Sequence, residues 1–168
     1  MSSMPTIRKA TVSDIDSIGY LAYQIWPYAY RDTLSFDRLH YMLSLLYAPQ
    51  ALKKQIEEED HKYFIAEADG LPVGFAAYSF YAEPATYKLH KLYVLMSTQG
   101  KGLGKALLDK VETAVRLEGG NSLLLNVKRD NIAIRFYEKC GFVIAKEEDV
   151  DIGNSYFMND YVMEKNLV

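Results

Sequence analysis

A glycine-rich turn carries the clearest chemical pattern in this sequence. The segment Gln99-Gly-Lys-Gly-Leu-Gly104 lies between an apolar strand pattern that ends at Leu95 and a helical pattern that begins near Leu103. Glycines let a backbone approach a ligand closely, and the N–H groups at the start of a helix attract anions. Lys101 and Lys105 add positive charge. The turn therefore predicts a pyrophosphate site, although a plain strand-to-helix turn has the same composition.

Two other phosphate-binding loops match this turn poorly. A Rossmann fingerprint needs glycine at its first, third and sixth positions, whereas the chain counted from Gly100 has its third glycine at the fifth position. A Walker loop needs Gly-Lys followed by serine or threonine, and here Gly104-Lys105 is followed by Ala106. The pattern therefore argues against nucleotide hydrolysis.

Composition limits what this turn can serve. The 168 residues are 49% apolar and 24% charged, which is typical of one globular domain spanning residues 1–168. The net charge of −3 argues against nucleic acid and favours a neutral or cationic small molecule. One cysteine (Cys140) and three scattered histidines provide no disulfide and no metal site. Without a signal pattern or an apolar run of membrane length, we expect a cytoplasmic protein that binds neither metal nor membrane.

The elements that must position the turn alternate between helical and strand patterns. Asp14 and Ser35 are predicted to cap the first two helices, and a third is predicted to begin near Pro49. Pro27 is expected to interrupt or end the first helix near Trp26. Asp69-Gly70 predicts a hairpin turn. Strands are predicted at 5–10, 62–68, 71–81, 86–95, 122–128, 142–145 and 156–164, with later helices at 103–117 and 132–139. This order predicts a mixed α/β (α+β) domain.

Four segments together resemble the GNAT N-acetyltransferase superfamily over residues 7–162. Gln99-x-x-Gly102-x-Gly104 is similar to the family's acetyl-CoA signature, and Leu92-Tyr-Val94 resembles the strand whose bulge faces the thioester. Residues 131–142 resemble the helix whose tyrosine lies near the CoA sulfur, and Ile7-Arg-Lys-Ala-x-x-x-Asp14 is similar to the family's opening. The resemblance implies a mostly antiparallel sheet of about seven strands flanked by helices, and acetyl-CoA as cosubstrate.

The same resemblance implies how acetyl-CoA is held. The backbone N–H of Val94 would contact the thioester carbonyl, and the amides of 99–105 the pyrophosphate. Pantetheine would lie between residues 92–94 and 125–127, where two strands diverge. The asparagine and tyrosine of the second signature are six apart here instead of the usual seven, so either Asp130 or Asn131 fills the asparagine position. The residues assigned to the CoA side are Leu92, Tyr93, Val94, Gln99, Gly100, Lys101, Gly102, Leu103, Gly104, Lys105, Asn126, Asn131 and Lys139.

Direct attack of an amine on the thioester, which the family uses, needs an acid and a base. Tyr137 matches the family's tyrosine, and a phenol can hand its proton to the departing thiolate; an ordinary core tyrosine is the alternative. Many relatives carry a glutamate on the fourth strand as base, but Tyr87-Lys-Leu-His-Lys91 contains no acid. His90 and Glu83 are therefore the candidate bases, beside a water chain or an already neutral amine.

The acceptor side is expected to be aromatic. Trp26, Tyr30 and Tyr81 can accept a cation through their ring faces, and the loop around Glu83 is expected to complete this side. Ordinary packing, however, explains most aromatic residues in a chain with 14 tyrosines. The segment 26–32 together with the glycine turn is similar to bacterial spermidine/spermine N-acetyltransferases. We therefore expect acetyl-CoA-dependent acetylation of a small-molecule primary amine, polyamines first. Acetylation of a protein N-terminus or lysine, or a non-catalytic acyl-CoA sensor, are the alternatives.

Charge and apolar patterns suggest two further surfaces. The acidic runs 57–60 and 147–151 are expected to be solvated faces that attract a polyamine. Tyr156, Phe157 and Tyr161 on the closing strands predict an apolar edge, which with the habit of many relatives points to a homodimer.

Overall fold

A seven-stranded sheet organises residues 5–168, the part of the chain that this computed structural model describes. The strand order is β1-β2-β3-β4-β5-β7-β6; β4 and β5 are parallel, and the other neighbouring pairs are antiparallel. The predicted mixed, mostly antiparallel sheet is confirmed. Its strands are Thr6–Lys9 (β1), Lys62–Ala68 (β2), Leu71–Ala82 (β3), Thr86–Val94 (β4), Ser122–Lys128 (β5), Val143–Gly153 (β6) and Tyr156–Asn166 (β7).

Helices cover both faces of this sheet. They are Ile15–Ala29 (α1), Phe36–Tyr47 (α2), Pro49–Glu57 (α3), Leu103–Leu117 (α4) and Ala133–Lys139 (α5). Along β2, Tyr63 and Ile65 pack with α1–α3, on what we call the α1 face. Phe64 and Ala66 pack with α4 and α5, on the α4 face. The predicted signal-free N-terminus includes residues 1–4, which lie outside the described residues. Among residues 5–168, no helix has both the length and the apolar character needed to cross a membrane.

The start of α1 is capped differently from the prediction. Thr11 Oγ1 accepts a hydrogen bond from the N–H of Ser13 at 3.3 Å, while Asp14 Oδ2 accepts one from the N–H of Thr11 at 2.8 Å. Asp14 therefore closes a capping box and is not a side-chain N-cap for α1. Its carboxylate also pairs with Arg8 at 2.8 Å, which ties the helix to β1. By contrast, Ser35 caps α2 as predicted, accepting from the N–H of Arg38 at 3.2 Å.

The first helix continues past Pro27. Proline removes a helical hydrogen-bond donor, which is the reason to expect an end near Trp26. The helix instead reaches Ala29, and the N–H of Tyr30 still bonds the carbonyl of Trp26 at 3.0 Å. Trp26 is only 3% exposed and its ring packs on those of Tyr30 and Tyr47. This packing holds the last turn, so the predicted end is too early.

One extra residue in β4 reverses the face that its side chains reach. β3 and β4 keep one register from Val94 to Lys91, and the register shifts before Leu89. His90 is therefore the unpaired residue of a β-bulge. Leu89 packs on the α4 face, whereas Lys91, two residues on, reaches the α1 face. The resemblance implies a bulge on this strand, and the structure places one at His90, just before Leu92-Tyr-Val94.

The parallel strands β4 and β5 separate soon after they pair. Their register runs from Thr86 opposite Ser122 to Lys88 opposite Leu124 and stops there. Further along, and within the part of the chain that the structure describes, β4 pairs only with β3 and β5 only with β7. The predicted divergence between residues 92–94 and 125–127 is confirmed.

The closing strands differ most from the prediction. β6 is far longer than the predicted 142–145 and takes in the acidic run 147–151. Acidic residues have low strand propensity, but pairing with β7 along the whole length overrides it. β7 in turn lies between β5 and β6, so it is not the sheet edge that the apolar pattern of the closing strands predicts. That edge is β6.

Candidate functional site

A cavity of about 470 Å³ lies where β4 and β5 separate. Side chains from both faces of the sheet line it, with Trp26 and Met158 from the α1-face core and Val127 and Tyr137 from the α4-face core. The cavity therefore passes through the gap between the two strands. Of the predicted site residues it brings together Trp26, Tyr30, Tyr81, His90, Leu92, Tyr93, Asn126, Asn131 and Tyr137.

The backbone of β4 presents hydrogen-bond donors to this gap. The N–H of Leu95 bonds the carbonyl of Val73 on β3 at 2.8 Å. Successive N–H groups of a strand point to opposite edges, so those of Val94 and Leu92 point away from β3, toward the gap. A thioester carbonyl held by the N–H of Val94 requires this orientation.

Tyr137 reaches the cavity from α5. Its side chain is 9% exposed and its ring packs edge-on against those of Phe136 and Phe142. Within residues 5–168 its hydroxyl has no hydrogen-bond partner, which leaves it available to a ligand. Burial raises the pKa of Tyr137, so the hydroxyl keeps its proton at neutral pH. A protonated donor facing the cavity is what a general acid requires.

The aromatic part of the cavity is built around Trp26. Its ring lies 4.8 Å from that of Tyr30 and 5.7 Å from that of Tyr93, centroid to centroid. The hydroxyls of Tyr30 and Tyr93 share a 2.8 Å hydrogen bond, and burial raises the pKa of both. Tyr81 lies at the open end, 52% exposed, with Lys88 Nζ 5.3 Å from the centre of its ring. A cation therefore already occupies one of the predicted aromatic faces.

His90 lies in the bulge and faces the cavity. Its ring stacks on that of His61 with centroids 4.0 Å apart, and its Nε2 lies 2.7 Å from Ser79 Oγ. Burial, helped by the neighbouring His61, Lys88 and Lys91, lowers its pKa to about 3. A ring with so low a proton affinity is neutral at neutral pH but takes a proton from an alkylammonium poorly. The expected role of His90 as base therefore has little electrostatic support.

Lys91 is a buried cation that the sequence interpretation leaves out. It is 6% exposed, and its Nζ donates to Gln55 Oε1 at 2.7 Å and to the Tyr63 hydroxyl. It also lies 4.3 Å from the centre of the Tyr47 ring. Burial lowers its pKa to about 7. The bulge at His90 hides this position, because plain alternation from Leu89 would send Lys91 to the other face.

A polar cluster forms the end of the cavity nearest β6 and β7. Asn126 Nδ2 donates to Glu148 Oε2 at 3.0 Å and to Asp160 Oδ2 at 3.2 Å. Asp160 is 8% exposed, and burial raises its pKa. Lys88 lies close enough for both carboxylates to affect its pKa, which burial lowers. Sequence reasoning misses Asp160, although a carboxylate between the buried Met158 and Val162 breaks the apolar alternation of β7 and is a readable signal.

The glycine-rich turn lies beside the gap, at the start of α4. Gly100 and Gly102 have φ of +83° and +77°, and the space that a Cβ would take at each is open to 4 Å. Gly104 packs against Phe136 of α5, and Gln99 Nε2 donates to the Val94 carbonyl at 3.3 Å. The turn thus joins the start of α4 to both sides of the gap. Its open glycines and helix N–H groups are compatible with a pyrophosphate.

The basic side chains around the turn are exposed, and one of them forms an ion pair. Lys105 Nζ pairs with Asp109 at 2.9 Å on the next turn of α4. Lys101 is exposed next to the two open glycines, and Lys139 is exposed on α5, outside the cavity lining. Leu103 is buried beneath the turn, so only its backbone can face a ligand.

Asp130 and Asn131, the two candidates for the asparagine position of the second signature, lie in different surroundings at the start of α5. Asn131 Oδ1 accepts a hydrogen bond from the N–H of Ala133 at 2.8 Å, and Asn131 lines the cavity. Asp130 instead pairs with Lys128 Nζ at 2.8 Å and does not line it. Glu83 lies in the exposed turn between β3 and β4 and does not line the cavity. The structure therefore does not place this candidate base beside the other predicted catalytic residues.

Comparison with known proteins agrees with this geometry. Residues 19–142 match the model of the Acetyltransferase (GNAT) family. A spermidine N(1)-acetyltransferase of Thermoplasma acidophilum is 28% identical over 164 residues, covering 95% of each chain. An uncharacterized N-acetyltransferase of Methanocaldococcus jannaschii is 29% identical over 82% of this chain and 60% of its own length. The crystal structure of PaiA N-acetyltransferase from Thermoplasma acidophilum with coenzyme A superposes with a TM-score of 0.82 at 25% identity, over 98% of this chain and 99% of that one.

Proposed function

The chain belongs to the acetyltransferase (GNAT) family and is an N-acetyltransferase, and from that premise we propose that it transfers the acetyl group of acetyl-CoA to a primary amine of a small molecule, polyamines first. The observation that carries the proposal is the cavity through the β4–β5 gap. It has backbone donors on its rim, Tyr137 on one side and an aromatic, carboxylate-bearing pocket on the other. Such a cavity lets an amine and a thioester meet from opposite faces.

The chain's own groups suit the CoA side of this reaction. The start of α4, with Gly100 and Gly102, would hold the pyrophosphate through backbone N–H groups, and the N–H groups of Leu92 and Val94 would take the pantetheine and thioester oxygens. Acetyl-CoA supplies the activated acetyl group. The N–H of Val94 stabilises the negative charge that develops on its oxygen during attack.

The acceptor side favours a small cation. Glu59, from one acidic run, and Glu148, from the other, both line the cavity together with Asp160. Lys88, Lys91 and Lys128 line the cavity as well, so its overall charge is balanced. The carboxylates beside aromatic faces nevertheless give an alkylammonium group direct partners that an anionic acceptor would lack. The relative named a spermidine acetyltransferase supports the same class of substrate.

Tyr137 completes the reaction on the thiolate side. As the amine nitrogen bonds to the carbonyl carbon and the carbon–sulfur bond breaks, the Tyr137 hydroxyl gives its proton to the sulfur. It regains a proton from the nitrogen, which must lose one to become an amide. Because the hydroxyl is protonated and lacks a partner within residues 5–168, it can do this without breaking an existing hydrogen bond.

The test is thiol release from acetyl-CoA with one amine at a time: spermidine, spermine, an aminoglycoside, and a peptide with a free N-terminus. We expect amine-dependent release with the polyamines and a product heavier by one acetyl group. Release with the peptide alone would replace the small-molecule proposal by protein acetylation. Acetyl-CoA binding by calorimetry without release from any acceptor would favour a sensor.

A further inference from the structure

We propose that Asp160 is the general base of this enzyme: its carboxylate binds the acceptor's ammonium group and takes up the proton that the amine loses before attack. The inference rests on the proposed acetylation of a small amine. In many relatives a carboxylate on β4 acts as the general base, but β4 of this chain carries no acidic residue. The proposal assigns that role to Asp160 on β7.

The position of Asp160 places it on the side from which an acceptor would enter. Along β7 it shares the α1 face with Met158, opposite the face on which Tyr137 packs. It pairs across the sheet with Lys128 of β5 and Glu148 of β6. The proton donor Tyr137 and the proton acceptor Asp160 would therefore lie on opposite sides of the gap. Transfer of an acetyl group between a thioester on one side and an amine on the other needs this arrangement.

Its hydrogen bonding leaves one oxygen for a ligand. Asp160 Oδ2 accepts from Asn126 Nδ2 at 3.2 Å, which fixes the plane of the carboxylate. Within residues 5–168, Oδ1 accepts no hydrogen bond, although the side chain is more than nine-tenths buried and lines the cavity. A carboxylate oxygen that faces the cavity and accepts no hydrogen bond from the protein can accept one from a cationic ligand.

The charges around Asp160 come from four elements. Glu148 of β6 adds a like charge, Lys88 of β4 and Arg129 after β5 add opposite charges, and the Tyr30 hydroxyl of α1 lies within electrostatic range. Burial raises the pKa of Asp160, and the Asn126 hydrogen bond lowers it less than burial raises it. A carboxylate with raised proton affinity is a better base than an ordinary one at neutral pH.

The competing groups are less suited to this step. His90 is held neutral with a pKa of about 3, and Glu83 lies outside the cavity lining. Lys91 Nζ is bound to Gln55 and Tyr63, and its Nζ also lies 3.4 Å from the Leu46 carbonyl. In the proposed step the ammonium's N–H bond breaks, its proton moves to Asp160 Oδ1, and the neutral amine attacks. Asp160 returns the proton to water after the product leaves.

The test compares Asp160→Asn, Asp160→Glu and Glu148→Gln in the full chain. Both amide variants remove one negative charge and keep an oxygen within reach of Asn126. We expect Asp160→Asn to lower kcat for spermidine about 100- to 10,000-fold, the usual range for losing a general base, with acetyl-CoA affinity unchanged. Glu148→Gln should mainly raise KM for the amine. Equal losses of kcat in Asp160→Asn and Glu148→Gln would mean that Asp160 contributes only its negative charge, and would overturn the proposal.

Two measurements distinguish a general base from a residue that only supports the structure: the pH dependence of kcat, and the dependence of the Asp160→Asn deficit on the basicity of the amine. The wild-type kcat should fall at low pH as Asp160 becomes protonated, and this fall should vanish in Asp160→Asn. With trifluoroethylamine, which is already neutral at neutral pH, the deficit of Asp160→Asn should shrink at least tenfold. An unchanged pH profile or an undiminished deficit would overturn the proposal.

Two controls keep the result interpretable. If Asp160→Asn does not fold by thermal melting, Asp160→Glu, which moves the carboxylate by one methylene, must lower kcat while acetyl-CoA still binds; an unchanged kcat overturns the proposal. A wild-type enzyme silent with every amine would instead overturn the proposed function itself. The two failures are therefore distinguishable.

Discussion

Burial sets the protonation of the side chains around the cavity, each in the direction of its uncharged form. Tyr137 keeps its proton, His90 stays without one, and Lys91 has its pKa lowered to about 7. Desolvation disfavours the charged form of each group, which is why acids and bases shift in opposite directions. The same cavity therefore holds a protonated Tyr137 and a neutral His90 at neutral pH.

Replacing Tyr137 by phenylalanine removes the proposed proton donor without changing the ring. We expect Tyr137→Phe to lower kcat about 10- to 1,000-fold, because the thiolate must then leave unprotonated or take its proton from water. Acetyl-CoA affinity, measured by calorimetry, should stay the same. Phe136→Leu serves as a packing control on the same helix. Turnover of Tyr137→Phe equal to that of the wild type would remove this tyrosine from the mechanism.

Lys91 makes the stability of the fold depend on pH in the alkaline range. Its pKa falls from 10.5 to about 7 on burial, so between these pH values the unfolded chain binds a proton that the folded chain does not. Stability from this group therefore rises with pH from about 7 to about 10.5 and is lost as pH falls back through that window. In urea titrations, the unfolding free energy of the wild type minus that of Lys91→Met should increase across it.

The control for this prediction is Lys53→Met, which removes the same side chain from the exposed surface of α3. Its difference from the wild type should not change with pH, because the Lys53 side chain is in solvent in the folded protein as well as in the unfolded chain. A flat difference for Lys91→Met as well would mean that Lys91 stays charged in the folded protein.

At the scale of elements, two irregularities in β4 and one turn shape the site. The bulge at His90 sends Lys91 to the α1 face, and the end of pairing with β5 leaves the N–H groups of Leu92 and Val94 facing the gap. The glycine turn after β4 then begins α4 beside that gap. A strand that paired regularly throughout would offer neither the gap nor the donors.

The left-handed glycine at the start of α4 permits a matched comparison. Gly102 and Gly70 have φ of +77° and +78°, and both have open space where a Cβ would lie. Alanine at either position should cost about 1 kcal/mol of stability, because the left-handed conformation is strained for L residues. We expect only Gly102→Ala to weaken acetyl-CoA binding, about tenfold by calorimetry, since Gly70 lies in the β2–β3 hairpin. Equal affinities of the two variants would place the pyrophosphate elsewhere.

At the scale of the whole molecule, the cavity crosses the sheet. Residues of α1–α3 and β7 line one side, and Ala133 and Tyr137 of α5 line the other, so a thioester and an amine can be bound together. Cys140 lies at the end of α5, outside the cavity lining, and burial raises its pKa, which makes it a poor nucleophile. This arrangement supports the proposed direct transfer.

Direct transfer predicts a sequential kinetic pattern. Double-reciprocal plots of rate against acetyl-CoA at several spermidine concentrations should intersect, and Cys140→Ser should retain at least about half of the wild-type kcat. Parallel lines, or acetyl-enzyme detected by mass spectrometry after exposure to acetyl-CoA alone, would show a covalent intermediate and contradict the prediction.

Local patterns in the sequence determined most of the elements. The apolar stripes of α1, α2 and α4, the Asp69-Gly70 hairpin and the glycine turn before α4 each follow from residue spacing or from the φ that a position needs. The family resemblance and the predicted seven-stranded sheet also came from residues close together in the chain. These features depend on periods and turns, which a sequence displays directly.

Tertiary structure alone decided which side chains meet. The bulge at His90 changed the face of Lys91, and pairing with β7 extended β6 through an acidic run, so that Glu148 meets Asn126 and Asp160. A single inserted residue reverses strand alternation, and a low-propensity strand forms only when a neighbour supplies its hydrogen bonds. Neither effect is visible before the sheet order is known. Asp160 could therefore be placed in the cavity only once β7 was seen between β5 and β6.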